Sequence, residues 1–186
     1  MKLVLIRHGQ TQWNHQSRIH GWLDSQLSEQ AKIQLSKLHI PPLNSPLLYT
    51  SDLGRASESA TIIANRVDVD VIVDKRLRER RFGILQGKVI NQDKDLNDYW
   101  QQYHLRYRQP LVNIPNVESE YEFSLRINAF LDDLYKLDFN RDIIIVSHGE
   151  WLRAFTNILH TLPSWHEGNG IQANLKILFY EINLIK

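Results

Sequence analysis

Apolar residues along this chain fall into two kinds of run. Short runs rich in leucine or β-branched residues predict five strands, at Leu3–Ile6, Leu47–Thr50, Val69–Val73, Ile143–Val146 and Leu175–Glu181. Between them the spacing becomes helical. Phe123, Ile127, Phe130, Leu131 and Leu134 place one apolar stripe along Tyr121–Leu137. Leu27–Leu38 follows Asp24 and Ser25, and Leu53–Val67 follows Ser51 and Asp52, residues suited to cap a helix start. A fourth helix, Glu150–Leu162, closes at Pro163. Strands alternating with helices imply an α/β fold, a three-layer α/β/α sandwich around a largely parallel sheet. The stretch from Gly87 to Asn116 breaks that rhythm, being polar, aromatic and punctuated by Pro110 and Pro115. It reads as a cap inserted into one domain of residues 1–186, with its own helix near Asp93–Leu105. Tyr99, Trp100, Tyr103 and Tyr107 recur there at spacings that indicate helix packing, with stacking on an aromatic substrate as the alternative.

Composition narrows the partners. With 42% apolar and 23% charged residues, 186 residues suffice for an ordinary globular core. Lysine and arginine number 22 against 21 acidic residues, so no basic excess exists to coat nucleic acid or an anionic membrane. The absence of cysteine removes disulfides, thiol catalysis and thiolate-held zinc. The first apolar run is too short for a signal peptide and no stretch reaches membrane-spanning length, so a cytoplasmic protein is expected.

The chemistry begins with an echo. Leu3-Val4-Leu5-Ile6 runs into Arg7-His8-Gly9, and Ile143-Ile144-Ile145-Val146 into Ser147-His148-Gly149. Each histidine follows a buried strand, with a glycine that lets the backbone turn. In a parallel sheet those ends share one edge, where open α/β folds bind ligands. A third strand, ending Leu48-Tyr49-Thr50, leads to Ser51-Asp52-Leu53-Gly54-Arg55 and puts Arg55 in the first turn of a helix. A cation is unfavourable there, which suggests an external anion. Arg7, Arg55 and helix N-terminal amides would make a receptor for a phosphate dianion, flanked by two imidazoles.

Four ordered blocks then carry a resemblance. They are Arg7-His8-Gly9-Gln10-Thr11 with Asn14, Ser51-Asp52-Leu53 with Arg55-Ala56, Leu77-Arg78-Glu79 with Phe82-Gly83, and Ser147-His148-Gly149. Together they resemble the phosphoglycerate mutase-like branch of the histidine phosphatase superfamily. The resemblance implies that His8 is the nucleophile of a phosphohistidine mechanism. It implies that Arg7, Arg55 and His148 hold the phosphoryl oxygens, and that Glu79 serves as acid and then base. Gly9, Thr11, Asn14, Gly21, Gly149 and the pocket-rim residue His20 would line the phosphate site. Arg80 and Arg81 belong to the basic run Lys75–Arg81, which reads either as a solvated face or as substrate contacts. No metal or other cofactor is implied. A zinc site of His8, His148 and Glu79 is the weaker alternative, because two arginines would repel the ion.

Within that resemblance the expected activity is a phosphomonoesterase acting on a small phosphorylated metabolite. Glu79-Arg80-Arg81-Phe82-Gly83 and Gly21-Trp22 resemble mutase wording, whereas phosphatases more often have a Trp-Glu-Gly ending. The region after Gln86-Gly87 reads Val89-Ile90-Asn91 where mutases carry a lysine, and Gln101-Gln102 follows Trp100 where they carry paired arginines. Chain length and the terminal strand also favour the phosphatase. Leu27-Ser28-Glu29-Gln30-Ala31 and Asn116-Val117-Glu118-Ser119 depart from the family pattern without removing a catalytic group. A phosphoglycerate mutase, and a non-catalytic phospholigand-binding domain, stand as alternatives. A homodimer is compatible with this reading, and nothing in the sequence selects it.

Overall fold

Alternation along Leu3-Val4-Leu5-Ile6 sends Leu3 and Leu5 to one face of the sheet and Val4 and Ile6 to the other, and all four are fully buried. The computed structural model describes residues 1–182, so the last four residues of the expected domain lie outside it. Its strands are β1 (Lys2–Arg7), β2 (Leu47–Thr50), β3 (Val71–Val73), β4 (Ile143–Ser147) and β5 (Ile177–Glu181). They form one sheet in the order β3-β2-β4-β1-β5. The first four are mutually parallel, and β5 runs antiparallel beside β1.

Among the described residues there are six α-helices: α1 (Gln12–His15), α2 (Glu29–Lys37), α3 (Gly54–Val67), α4 (Asn97–Leu105), α5 (Glu120–Leu134) and α6 (Gly149–Leu159). Val4, Ile6, Leu48, Ile144 and Val146 pack with α2 and α3 on one side. Leu3, Leu5, Ile143 and Ile145 pack with α5 and α6 on the other, around Phe130, Trp151 and Phe155. Burying each such side chain contributes about 2 kcal/mol, so β1 and β4 are held from both faces. Their carboxyl ends are correspondingly fixed. A third, smaller cluster joins Trp100, Tyr103, Leu111 and Ile114 of the insertion to Ile19, Phe82 and Leu85. Among the described residues no helix is long and apolar enough to cross a membrane.

Several boundaries shift for local reasons. Strand β3 starts at Val71 because Asp68 closes α3 in a left-handed conformation and the Val69 N–H bonds back to Ala64. Strand β5 starts at Ile177 because Leu175 also has positive φ and gives its N–H to the Arg7 carbonyl. Helix α2 is capped by Ser28, not by Asp24 or Ser25. Helix α3 begins at Leu53 with no side-chain cap of its own, so neither Ser51 nor Asp52 fills that role. The single-turn α1, closed by a Thr11–Asn14 capping box, is too short to leave a periodic signal.

Candidate active site

Register decides what meets at the sheet edge. Arg7 pairs with Ser147 across β1 and β4, and the His8 N–H donates to the Ser147 carbonyl at 2.9 Å. His8 and His148 therefore leave adjacent strands side by side, with ring centroids 5.2 Å apart. Arg7, His8, Asn14, His20, Gly21, Arg55, Glu79 and Gly149 all line one cavity of about 190 Å3. His8 is 3% exposed and Arg55 1%, so this is a desolvated cluster, where charge interactions act at low dielectric.

The hydrogen-bond partner of His8 fixes its tautomer. His8 Nδ1 lies 2.7 Å from the Gly9 carbonyl, which can only accept, so Nδ1 carries the proton and Nε2 keeps its lone pair. Burial, reinforced by Arg55 and Arg7, holds the His8 pKa well below its ordinary value. His8 is a neutral imidazole with a free Nε2. His148 Nε2 meets the Ser51 hydroxyl at 2.7 Å. Its Nδ1, together with Arg7 Nε and Arg55 Nε, is buried without an acceptor among the described residues. Two arginine donors and an imidazole nitrogen left unpaired in one cluster suit an anion with several acceptor oxygens.

Arg55 is not left to an external anion alone. Its guanidinium donates to the Leu23 and Gly21 carbonyls at 2.9 and 2.8 Å and to Asp24 at 3.1 Å. Asp24 also accepts from the Arg55 backbone N–H, supplying from another segment the cap that α3 lacks. Arg7 donates to the Gln172 carbonyl at 2.6 Å, and Asn174 donates to the His8 carbonyl at 2.8 Å. The segment before β5 thus holds the tip of β1.

Glu79 enters from the loop after β3. Its carboxylate accepts from the backbone N–H groups of Arg80, Glu150 and Trp151 at 2.8 to 3.2 Å, and its carbonyl accepts from Trp22 Nε1. Burial first, and the neighbouring Glu150 carboxylate second, push the Glu79 pKa up against those amides and Arg55. The adjacent arginines do not point at it. Arg78 pairs with Asp52. Arg80, 1% exposed, pairs with Glu120 at 2.7 Å and bonds the Glu118 carbonyl. Arg81 lies over the Trp22 ring. Neither Arg80 nor Arg81 is among the residues that line the cavity: Arg80 is a buried strut and Arg81 a cation stacked on Trp22. The solvated-face reading fails for Arg80 too.

Of the expected residues, Gly9, Thr11 and His148 adjoin the cavity without lining it. Thr11 is fully buried and bonds His20 Nε2 at 2.8 Å. Burial and Arg55 lower the His20 pKa to about 3, with Asp24 opposing, so it too is a neutral imidazole. Neither Gly9 nor Gly149 has positive φ. A Cβ on Gly9 would sit 3.1–3.2 Å from Leu35, Ala31 and Leu27, and one on Gly149 would meet Ile171 at 2.8 Å. Close approach, not a sharp turn, is what these positions require. Tyr103 packs with Phe82 and Trp100, as the helix-packing reading expects, and also lines the cavity. The zinc alternative finds no support in the donor arrangement, since no group of three His, Asp or Glu among the described residues is placed to hold a metal.

Sequence reasoning missed Ser51 as the partner of His148, Asp24 as the partner of Arg55, and Glu150, Arg18, Ile90 and Ile171 as cavity lining. Only Glu150 had a sequence signal, standing directly after His148-Gly149 in the helix first turn.

Comparison with known proteins adds a third line. The family model for the histidine phosphatase superfamily (branch 1) matches residues 3–183. A protein named "Probable phosphoglycerate mutase GpmB" from Enterobacter sp. (strain 638) is 34% identical over 175 residues, which cover 90% of this chain and 78% of that one. Solved structures that resemble it include a mycobacterial glucosyl-3-phosphoglycerate phosphatase, at TM-score 0.78 and 29% identity over 96% of this chain and 88% of the other. The alpha-ribazole phosphatase of Shigella flexneri superposes at TM-score 0.83 and 25% identity, covering 99% and 92%.

Proposed function

Because the chain belongs to the histidine phosphatase superfamily, branch 1, we propose that it is a metal-independent phosphomonoesterase acting through a phosphohistidine on a small phosphorylated metabolite. The observation that carries this reading is the neutral His8 with Nδ1 bonded to the Gly9 carbonyl and Nε2 free, set among donors without acceptors on Arg7, Arg55 and His148. His8 Nε2 attacks phosphorus in line as the bond to the leaving oxygen breaks, and Glu79 gives that oxygen its proton. Arg7, Arg55 and His148 stabilise the equatorial oxygens, each donor contributing on the order of a hundredfold in rate. Water then attacks the phosphohistidine, the Glu79 carboxylate takes its proton, and phosphate leaves with His8 restored. The cavity of about 190 Å3 lies below the ~300–1,000 Å3 of drug-sized ligand pockets, which supports a small substrate.

Purified protein in chelator should release phosphate from a chromogenic aryl phosphate, and His8→Ala should not. Activity surviving in His8→Ala would overturn the mechanism, and strict metal dependence would overturn its metal-free form.

A second reading, phosphoglycerate mutase, is favoured by the name of the 34% identical relative. Glutamines 101 and 102 still stand where the mutase pattern has paired arginines, and Trp100 before them is buried in the insertion. Supplied with 3-phosphoglycerate, with and without the 2,3-bisphosphate, the enzyme should release phosphate faster than it isomerises the substrate. The opposite order of rates would make it a mutase.

A further inference from the structure

The cavity holds a second carboxylate that the proposed mechanism does not use. Glu150, 2% exposed, sits in the first turn of α6 and lines the same cavity as Glu79. The two are direct neighbours, since the Glu150 N–H donates to the Glu79 carboxylate at 3.2 Å. Two buried carboxylates this close cannot both ionise freely. Glu150 is the one tied down as an anion. Its Oε1 accepts from Arg106 Nε at 2.6 Å and from the Tyr107 hydroxyl at 3.2 Å, and its Oε2 accepts from Arg153 Nη2 at 2.8 Å. Arg106 follows α4 in the insertion, whereas Arg153 lies one turn along α6. Glu79 has no such partner and meets only backbone N–H groups.

We propose that Glu150 is a positioning residue for the acid: a buried anion, clamped to the insertion by Arg106, that keeps the proton on the Glu79 carboxyl. The assignment rests on the reading of Glu79 as the proton donor. Burial opposes ionisation of Glu150, yet Arg106 and Arg153 outweigh it and bring its pKa down to about 2. Other charged or titratable groups face Glu79 as well: Arg7 from β1, Arg55 from α3 and Tyr103 from α4. The two arginines favour ionised Glu79, so Glu150 is the nearby charge that opposes them. The insertion thereby does more than cover the cavity. Its Arg106 sets how strongly the Glu150 charge is felt next door.

Opposite signs make the test. On an alkyl phosphate, whose leaving oxygen must be protonated, kcat/KM should fall on the alkaline side as Glu79 loses its proton. Glu150→Gln removes the anion and should move that limb to lower pH by on the order of one unit. Arg106→Gln leaves the anion less neutralised and should move the limb to higher pH. A limb unmoved in Glu150→Gln, or one that moves the same way in both variants, overturns the proposal, because a merely structural role lowers rates without opposed shifts. If Glu150→Gln does not fold, Arg106→Gln and Arg153→Gln decide alone, and each must raise the limb. Glu79→Gln separates the two claims. Loss of the limb with activity supports Glu79 as the donor, so that a failure of the Glu150 series then counts against the positioning role alone. A limb persisting in Glu79→Gln overturns both.

Discussion

His8 and His148 are each oriented by one hydrogen-bond partner, the Gly9 carbonyl and the Ser51 hydroxyl. The Gly9 carbonyl can only accept, which leaves His8 Nε2 unprotonated and turned to the cavity. For His148 the orienting group is Ser51, whose hydroxyl reaches Nε2; when that hydroxyl donates, the ring proton sits on Nδ1, which has no partner among the described residues. Ser51→Ala should therefore lower kcat/KM about ten- to a hundredfold, the rate equivalent of the roughly 1–3 kcal/mol for a buried group left unpaired. Circular dichroism and thermal melting should show the fold retained. An unchanged kcat/KM in the folded variant would mean that Ser51 does not orient His148. Gly9 and Gly149 add a packing condition at the same scale: a Cβ on Gly149 would force Ile171 to shift, and one on Gly9 would crowd Leu35, Ala31 and Leu27.

Helix α3 begins without a cap of its own and borrows one from Asp24, which also grips the Arg55 side chain. Asp24→Ala should cost about 1 kcal/mol in urea unfolding, as lost caps do. It should also lower kcat/KM, since Arg55 loses its carboxylate partner. Asp24→Asn keeps an acceptor and should recover most of the stability, and equal losses in the two variants would argue against capping. This arrangement also shows where sequence reading stopped. The strands, the four large helices and the helix of the insertion were legible because each apolar run matches the period of the surface it buries. Arg7, His8, Arg55 and His148 were legible because they stand just past the ends of such runs, and Glu79 only through the Leu77-Arg78-Glu79 block that carries the resemblance. The roles of Ser51, Asp24 and Arg80 were not. Ser51 and Asp24 look like local caps, and their actual partners lie 97 and 31 residues away. Arg80 sits in a run of charges that looks solvated until Glu118 and Glu120 close over it. Local periodicity carries no information about which distant segment arrives.

At the scale of the whole molecule, the cavity makes the fold acid-sensitive. His8, His20 and His148 are buried with lowered pKa values, burial being the largest cause for each. An unfolded chain protonates these groups near pH 6.5, whereas the folded chain cannot until far lower, so stability is full above that value and falls as pH drops below it. Each imidazole costs about 1.4 kcal/mol per pH unit in that window. Glu79, with its raised pKa, works in the other direction but is one group against three. Glu150 adds a further loss below its ordinary carboxylate range, down to about pH 2. The urea midpoint should therefore drop steadily from pH 7 to pH 5, and His20→Gln should flatten the slope by about a third. A midpoint independent of pH across this range would contradict the burial of neutral imidazoles. The strand order has a consequence for how the chain is made. Strand β1 pairs with residues 143–147 on one side and 177–181 on the other. At about 5–20 residues per second, a ribosome leaves Leu3–Ile6 without a partner strand for on the order of ten seconds. During synthesis the segment bearing His8 is an unpaired apolar strand, open to aggregation or to chaperones. The cavity cluster of Arg7, His8 and His148 can assemble only after residues 143–148 have been made.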